Sequence, residues 1–157
     1  MPDLLLQTRR EFCVHACQTV SVLTVGAVAT GCGGLTSPSD NDPSLPVVNA
    51  SVNSGTLIIP VDPTSPLAAV GGMARVSTSA GAFLIARTAE ASFMALTAIC
   101  THEGCVVDRF SDQAFVCHCH GSHFSTSGGV LRGPAGSPLR QFATQFADNV
   151  LTVRLTG

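Results

Sequence analysis

The sequence has no lysine, no tryptophan and no tyrosine, and only 11% of its residues are charged. With a formal net charge of −2 and arginine as its only strong base, the chain has no basic footprint for nucleic acid. It also lacks any run of acidic residues that would mark a disordered tail. Aromatic content is 5%, all of it phenylalanine, which excludes a large aromatic core. A length of 157 residues leaves room for one domain of ordinary size with an anchor or tail. Cysteine, by contrast, is plentiful. There are seven, and four of them fall between Cys100 and Cys119. That clustering points to a metal site, a disulfide, or both.

The N-terminal segment carries adjacent arginines in Thr8-Arg9-Arg10-Glu11-Phe12, which resembles a twin-arginine export signal. Cys13-Val14 stands where a more typical signal has Leu-Lys. A weakly apolar stretch follows from Cys13 to Gly31, softened by His15, Gln18 and several Thr and Ser. Its plain alternative is a buried helix or an ordinary N-terminal segment. Twin-arginine export suits a protein that folds around a cofactor before it crosses the membrane. Ala29-Thr30-Gly31-Cys32-Gly33 reads as a degenerate lipoprotein-processing site with Cys32 as the acylated residue. Simple cleavage nearby and retention as a membrane span are the alternatives. About 19 residues just reach across a bilayer, but the polar content makes a poor span. Residues 33–46 (GGLTSPSDNDPSLP) form a Gly/Ser/Pro/Asp linker that buries nothing and is expected to be flexible or extended.

From residue 47 to 157 the pattern is β. Val47–Val52 and Thr56–Ile59 are short β-rich runs separated by Asn53-Ser54-Gly55, and Pro60, Pro63 and Pro66 punctuate the loop that follows. Ala74–Ser77 reads as a strand. Ala82–Arg87 and Ser92–Leu96 read as a hairpin across Thr88-Ala89-Glu90. Gln141–Phe146 and Val150–Leu155 form another around Asp148-Asn149, with Phe142, Thr144 and Phe146 on one face and Leu151, Val153 and Leu155 on another. No helical period and no internal repeat follow the signal. The spacing predicts an all-β domain.

The chemistry is concentrated in residues 100–124, CTHEGCVVDRFSDQAFVCHCHGSHF. Cys100-x-His102 and Cys117-x-x-His120 each place a thiolate and an imidazole close together in a short loop. Two such loops can meet at a metal centre from opposite sides. Structural zinc is one reading, since a tetrahedral site accepts two Cys and two His. The other is a binuclear iron–sulfur centre with two thiolates on one iron and two imidazoles on the other. These loops, with the Gly-Cys and Gly-Ser flanks and Gly133-Pro134-Ala135 thirteen residues beyond His120, resemble the Rieske [2Fe–2S] protein family. The resemblance implies a Rieske-type antiparallel β sandwich with a small cluster-binding subdomain at about 98–138, and one [2Fe–2S] cluster.

Carried over residue by residue, the resemblance makes Cys100 and Cys117 ligands of the buried iron and His102 and His120 ligands of the outer one. Neutral imidazoles raise the potential of such a centre to roughly −150 to +300 mV. Cys105 and Cys119 would form the disulfide found in the branch that oxidises quinol, a bond that an exported protein permits. Ser122 would donate to a bridging sulfide, and the loop containing Gly133 and Pro134 would cover the third side of the cluster. Two departures stand out. Phe124 replaces a Tyr whose hydroxyl bonds a ligand sulfur, which implies a lower potential. Glu103 replaces a Leu at the docking tip, against an ordinary quinol-site interface. His118 and His123 read as exposed loop residues, and Arg75, Arg87, Arg109, Arg140 and Arg154 as scattered surface charges.

The function implied is one-electron transfer as the iron–sulfur subunit of a cytochrome bc-type quinol–cytochrome c oxidoreductase. Its partners would be a membrane-bound redox complex with a cytochrome b, a c-type cytochrome, and quinol. The chain would sit at the outer face of the cytoplasmic membrane. The alternatives are the small Rieske subunit of another exported oxidoreductase, such as arsenite oxidase, or a lipid-anchored carrier acting alone. None of these makes the isolated chain a catalyst of bond-making chemistry.

Overall fold

A computed structural model describes residues 42–156. The export signal at 1–32, the lipidation site at Cys32 and the linker from 33 to 41 lie outside the described residues. Within them all regular structure is strand, and no helix is long and apolar enough to cross a membrane.

The first six strands are β1 (Val47–Val48), β2 (Ser51–Asn53), β3 (Thr56–Pro60), β4 (Met73–Thr78), β5 (Gly81–Ala89) and β6 (Ser92–Thr97). The next six are β7 (Arg109–Ser111), β8 (Ala114–Cys117), β9 (Ser122–Phe124), β10 (Val130–Arg132), β11 (Gln141–Ala147) and β12 (Val150–Arg154). Eight of them form one sheet in the order β1-β4-β5-β6-β11-β12-β3-β2, and the other four form a second in the order β10-β9-β8-β7. Every pairing is antiparallel except β1 with β4. The smaller sheet is a single insertion between β6 and β11, closed at its base by an Ile99–Val106 bridge.

The run read as one strand over Val47–Val52 is divided. β1 and β2 lie at opposite edges of the large sheet, with only Asn49-Ala50 between them. So short a connection requires the sheet to curl until its edges come close. Three two-residue hairpins turn at Ser54-Gly55, Asp112-Gln113 and Asp148-Asn149, each with positive φ at both positions. That is the turn whose twist matches paired strands.

β5 explains how the two halves hold together. Its Phe83-Leu84-Ile85-Ala86 run is buried throughout although strand side chains alternate between faces. Phe83 and Ile85 join a core with Leu57, Ile59, Val76, Leu151 and Val153. Leu84 and Ala86 join a second core with Leu96, Phe115, Phe124, Cys100 and Cys117. The large sheet thus packs on both faces, the second face carrying the insertion.

The structure departs from the sequence reading at the C-terminal hairpin and at the linker. Thr144 pairs with Val153 and Phe146 with Leu151, so the two apolar sets of the C-terminal hairpin share one face of the sheet. The stretch Asp42–Pro46 is no free linker. Leu45 N–H donates to Asp108 O at 2.7 Å, Phe110 N–H to Pro43 O at 3.1 Å and Arg75 N–H to Pro46 O at 2.8 Å. The Leu45 side chain is buried in the core beneath the insertion. These five residues are held by main-chain bonds, which composition does not encode.

Arg87 is also more than a surface charge. Its guanidinium lies 5.3 Å from the ring centres of both Phe93 and Phe146. It donates to the carbonyls of Leu67, Ala68, Ala89 and Glu90, pinning the loop after β3 to the β5–β6 hairpin. Arg87→Ala is expected to cost about 2–4 kcal/mol in urea unfolding, with Lys recovering less than half, because an ammonium cannot span that fork of acceptors.

Candidate metal centre

The two Cys/His loops share one backbone design. Cys100 follows β6 and Cys117 ends β8, and both are buried. Four residues on, Gly104 N–H donates to Cys100 O and Gly121 N–H to Cys117 O, both at 2.9 Å. These glycines have φ of +76° and +71°, a region where a side chain is strained. The first loop is tightened by Cys100 N–H donating to Cys105 O at 2.8 Å, and the second by the Cys117–Ser122 pairing of β8 with β9.

A disulfide between Cys105 and Cys119 joins the loops, with Cα atoms 6.5 Å apart. Cys100 and Cys117 remain free thiols. The Cys117 sulfur lies within 4.8 Å of both bridged sulfurs. Burial pushes its thiol up to about 11, and a hydrogen bond with the Cys100 thiol adds to the shift. A metal ion must therefore displace a proton that the apolar surroundings would otherwise keep in place.

The imidazoles of His102 and His120 meet edge to face, with centres 4.9 Å apart. His102 Nδ1 is buried and has no hydrogen-bond partner. An orphaned buried nitrogen carries a cost that a metal bond removes. Two paired buried thiols together with two converging imidazoles, one aiming a lone nitrogen inward, fit a binuclear iron–sulfur cluster with mixed ligands.

A third segment closes the site. Gly133-Pro134 is a cis peptide, and although both residues are exposed, Ala135 is buried. Ala135 N–H donates to Ser122 Oγ at 3.0 Å, and Thr101 Oγ1 donates to Ser137 O at 2.6 Å. The segment thus holds one bond to each ligand loop. Ser122 is fully buried and, while accepting from Ala135, keeps its own hydroxyl proton free to donate.

Other placements were not visible in the sequence. His118 is exposed as read, yet its Nδ1 lies 2.8 Å from Asp108 Oδ1, tying the second loop to the entry of β7. Asp108 also receives Leu45 N–H, so one residue links that loop to the strap at 42–46. His123 belongs to β9 rather than a loop and is half-buried. Repetition of Cys-x-x-x-Gly at 100–104 and 117–121 was the available sign of the common loop design. Phe124 is fully buried, paired across the small sheet with Phe115. Glu103 stands exposed at the tip, beside the outer nitrogens of both histidines.

The profile of the Rieske [2Fe-2S] domain matches residues 58–143, more than half of the sequence, and the chain belongs to that family. A Rieske domain carries one [2Fe–2S] cluster, and the Cys and His groups for it are present. The chain is similar to the cytochrome b6-f complex iron-sulfur subunit of Cyanothece sp. (strain PCC 7425 / ATCC 29141), at 43% identity over 58 residues, 36% of this chain and 32% of that one. The same subunit of Prochlorococcus marinus (strain MIT 9301) is 39% identical over 72 residues, 45% of this chain and 40% of that one. The chain thus spans about a third to two-fifths of the length of these curated relatives. The crystal structure of the plasma membrane Rieske protein PetC3 from Synechocystis PCC 6803 is 33% identical with a TM-score of 0.50, over 66% of this chain and 98% of that one. The complex of oxygenase and ferredoxin in carbazole 1,9a-dioxygenase contains a chain of the same fold, with a TM-score of 0.53 at 21% identity over 65% of this chain and 94% of that one.

Phe124 shares a core with Cys100 and Cys117 and offers them no hydroxyl. Phe124→Tyr is expected to raise the reduction potential measured by equilibrium titration, because a hydrogen bond to a ligand sulfur favours the more negative, reduced state. A potential unchanged or lowered would contradict this.

Proposed function

We propose that the chain is a one-electron carrier, the iron–sulfur subunit of a cytochrome bc-type quinol–cytochrome c oxidoreductase. The observation that carries the reading is the Cys105–Cys119 disulfide joining two Cys/His loops, in a chain similar to proteins named as cytochrome b6-f iron-sulfur subunits. The bound cluster supplies a site that takes up and gives back one electron.

The residues have distinct tasks. Cys100 and Cys117 would hold the cluster as thiolates from the buried side. His102 and His120 would hold it from the exposed side through one ring nitrogen each, leaving the other for a partner. Ser122 would offer its hydroxyl as a hydrogen-bond donor to the cluster's sulfur, which favours the reduced state. Gly133 and Pro134 carry the covering segment that holds both loops. Electrons would enter from quinol through His120 and leave to a c-type cytochrome, with a cytochrome b as the membrane partner.

The same reading extends to location. Thr8–Phe12 would direct twin-arginine export and Cys32 would anchor the chain by lipid, or residues 13–31 would remain as an anchor. The domain would then work at the outer face of the cytoplasmic membrane, tethered through the linker. A second reading, the small subunit of another exported oxidoreductase or a lipid-held carrier acting alone, is favoured by one observation. The acidic Glu103 occupies the tip where a quinol would approach. A co-purified cytochrome b selects the first reading, and a molybdenum-containing subunit selects the second.

The full chain isolated after export is expected to contain about two iron and two acid-labile sulfide, with a rhombic EPR signal on reduction that Cys117→Ser abolishes. A colourless protein with one zinc would overturn the proposal.

A further inference from the structure

The outward ring edges of the two histidines are not open to solvent alone. Glu103 Oε1 lies 3.9 Å from His102 Nε2, and Glu103 Oε2 lies 3.7 Å from His120 Nε2. One carboxylate therefore reaches both imidazoles, one oxygen to each. Both distances fall just beyond hydrogen-bond range, and rotation of an exposed side chain closes them. The Glu103 side chain is 62% exposed, which leaves it room to rotate.

The same three groups come within 4.8 Å of one another, a spacing that also suggests a divalent cation. The proton inventory decides between the two. An imidazole that gives Nδ1 to a metal keeps its proton on Nε2, and an N–H calls for an acceptor rather than a cation. A carboxylate that accepts from such a histidine makes the ring a stronger donor to its metal, which favours the oxidised state.

We propose that Glu103 is a built-in acceptor for the outward Nε2–H groups of His102 and His120. It holds the reduction potential down, and it denies both donors to the oxygen of a quinone or quinol until the carboxylate is displaced. The inference rests on the assignment of His102 and His120 as the outer ligands. It makes Glu103 the residue that determines which electron donors the site accepts. A ligand that must hydrogen-bond to Nε2 pays for displacing the carboxylate, whereas a protein partner that only brings its redox centre near does not.

The test uses the full-length holo-protein as wild type and as Glu103→Gln, Glu103→Asp and Glu103→Leu. Equilibrium redox titration followed by EPR of the reduced cluster gives the potential of each. Titration with 2-hydroxy-1,4-naphthoquinone, read as a shift in the EPR g-values, gives access to the histidines. The potential is expected to rise in the Gln and Leu variants and to stay near wild type in Asp, which keeps the charge. The naphthoquinone is expected to half-saturate the Leu variant at a several-fold lower concentration than wild type. Wild-type potentials in both Gln and Leu would overturn the tuning role. Equal half-saturation of wild type and Leu would overturn the gating role. Absence of iron and of an EPR signal from the wild type would instead overturn the ligand assignment, and this inference with it.

Discussion

The covalent link between Cys105 and Cys119 is the constraint on which the centre depends. Each ligand loop is a tight turn closed by a glycine N–H and one further main-chain pairing, with its histidine at least partly exposed. Such turns open easily when nothing else restrains them. The bridge closes a segment with a sequence separation of 14 that contains β7 and β8. Chain-entropy reasoning gives a loop of that size about 3 kcal/mol of stabilisation. Its larger effect is to keep two histidines and two thiols facing one another. The covering segment works the same way through weaker bonds, one to Thr101 and one to Ser122.

Below the loops, the large sheet supplies the platform. Leu84, Ala86 and Leu96 form one side of the core that surrounds Cys100 and Cys117, with Phe115 and Phe124 from the small sheet. Removal from water raises the Cys117 thiol and leaves His102 Nδ1 without a partner. Both states are costly in an empty protein, and metal binding relieves both. The centre is thus built with a dry side that carries the sulfur donors and a wet side that carries the imidazoles. That asymmetry stabilises charge on the buried side while one edge stays accessible.

Much of this was readable in the residues, for identifiable reasons. Asn53-Ser54-Gly55 and Asp148-Asn149 announced their hairpins because those residue types tolerate positive φ. The turn at Asp112-Gln113 did not, since Gln113 at φ +61° has no such preference, and the strands of the small sheet carry no comparable turn signal. The donor set was visible because thiols and imidazoles in close spacing have few other uses. Polar contacts between distant segments were hidden. Asp108 meets His118 ten residues on, and Arg87 reaches the carbonyls of Leu67 and Ala68 some twenty residues back. Within 42–46, Asp42 O accepts from the Arg109 guanidinium, Pro43 O from Phe110 N–H and Pro46 O from Arg75 N–H. None of these leaves a pattern along the chain. Glu103 departs from the family pattern in the sequence, but its approach to both rings exists only once the loops are brought together.

The central claim is that the disulfide holds the two loops as one site upon an independently stable sheet. Thermal unfolding of the Cys105→Ser/Cys119→Ser double variant, followed at once by visible absorbance of the cluster and by far-UV circular dichroism, tests it most directly. The account predicts that absorbance is lost well before the strand signal in the variant, while the two transitions nearly coincide in the wild type. Coincident transitions in the variant, at the wild-type temperature, would contradict it.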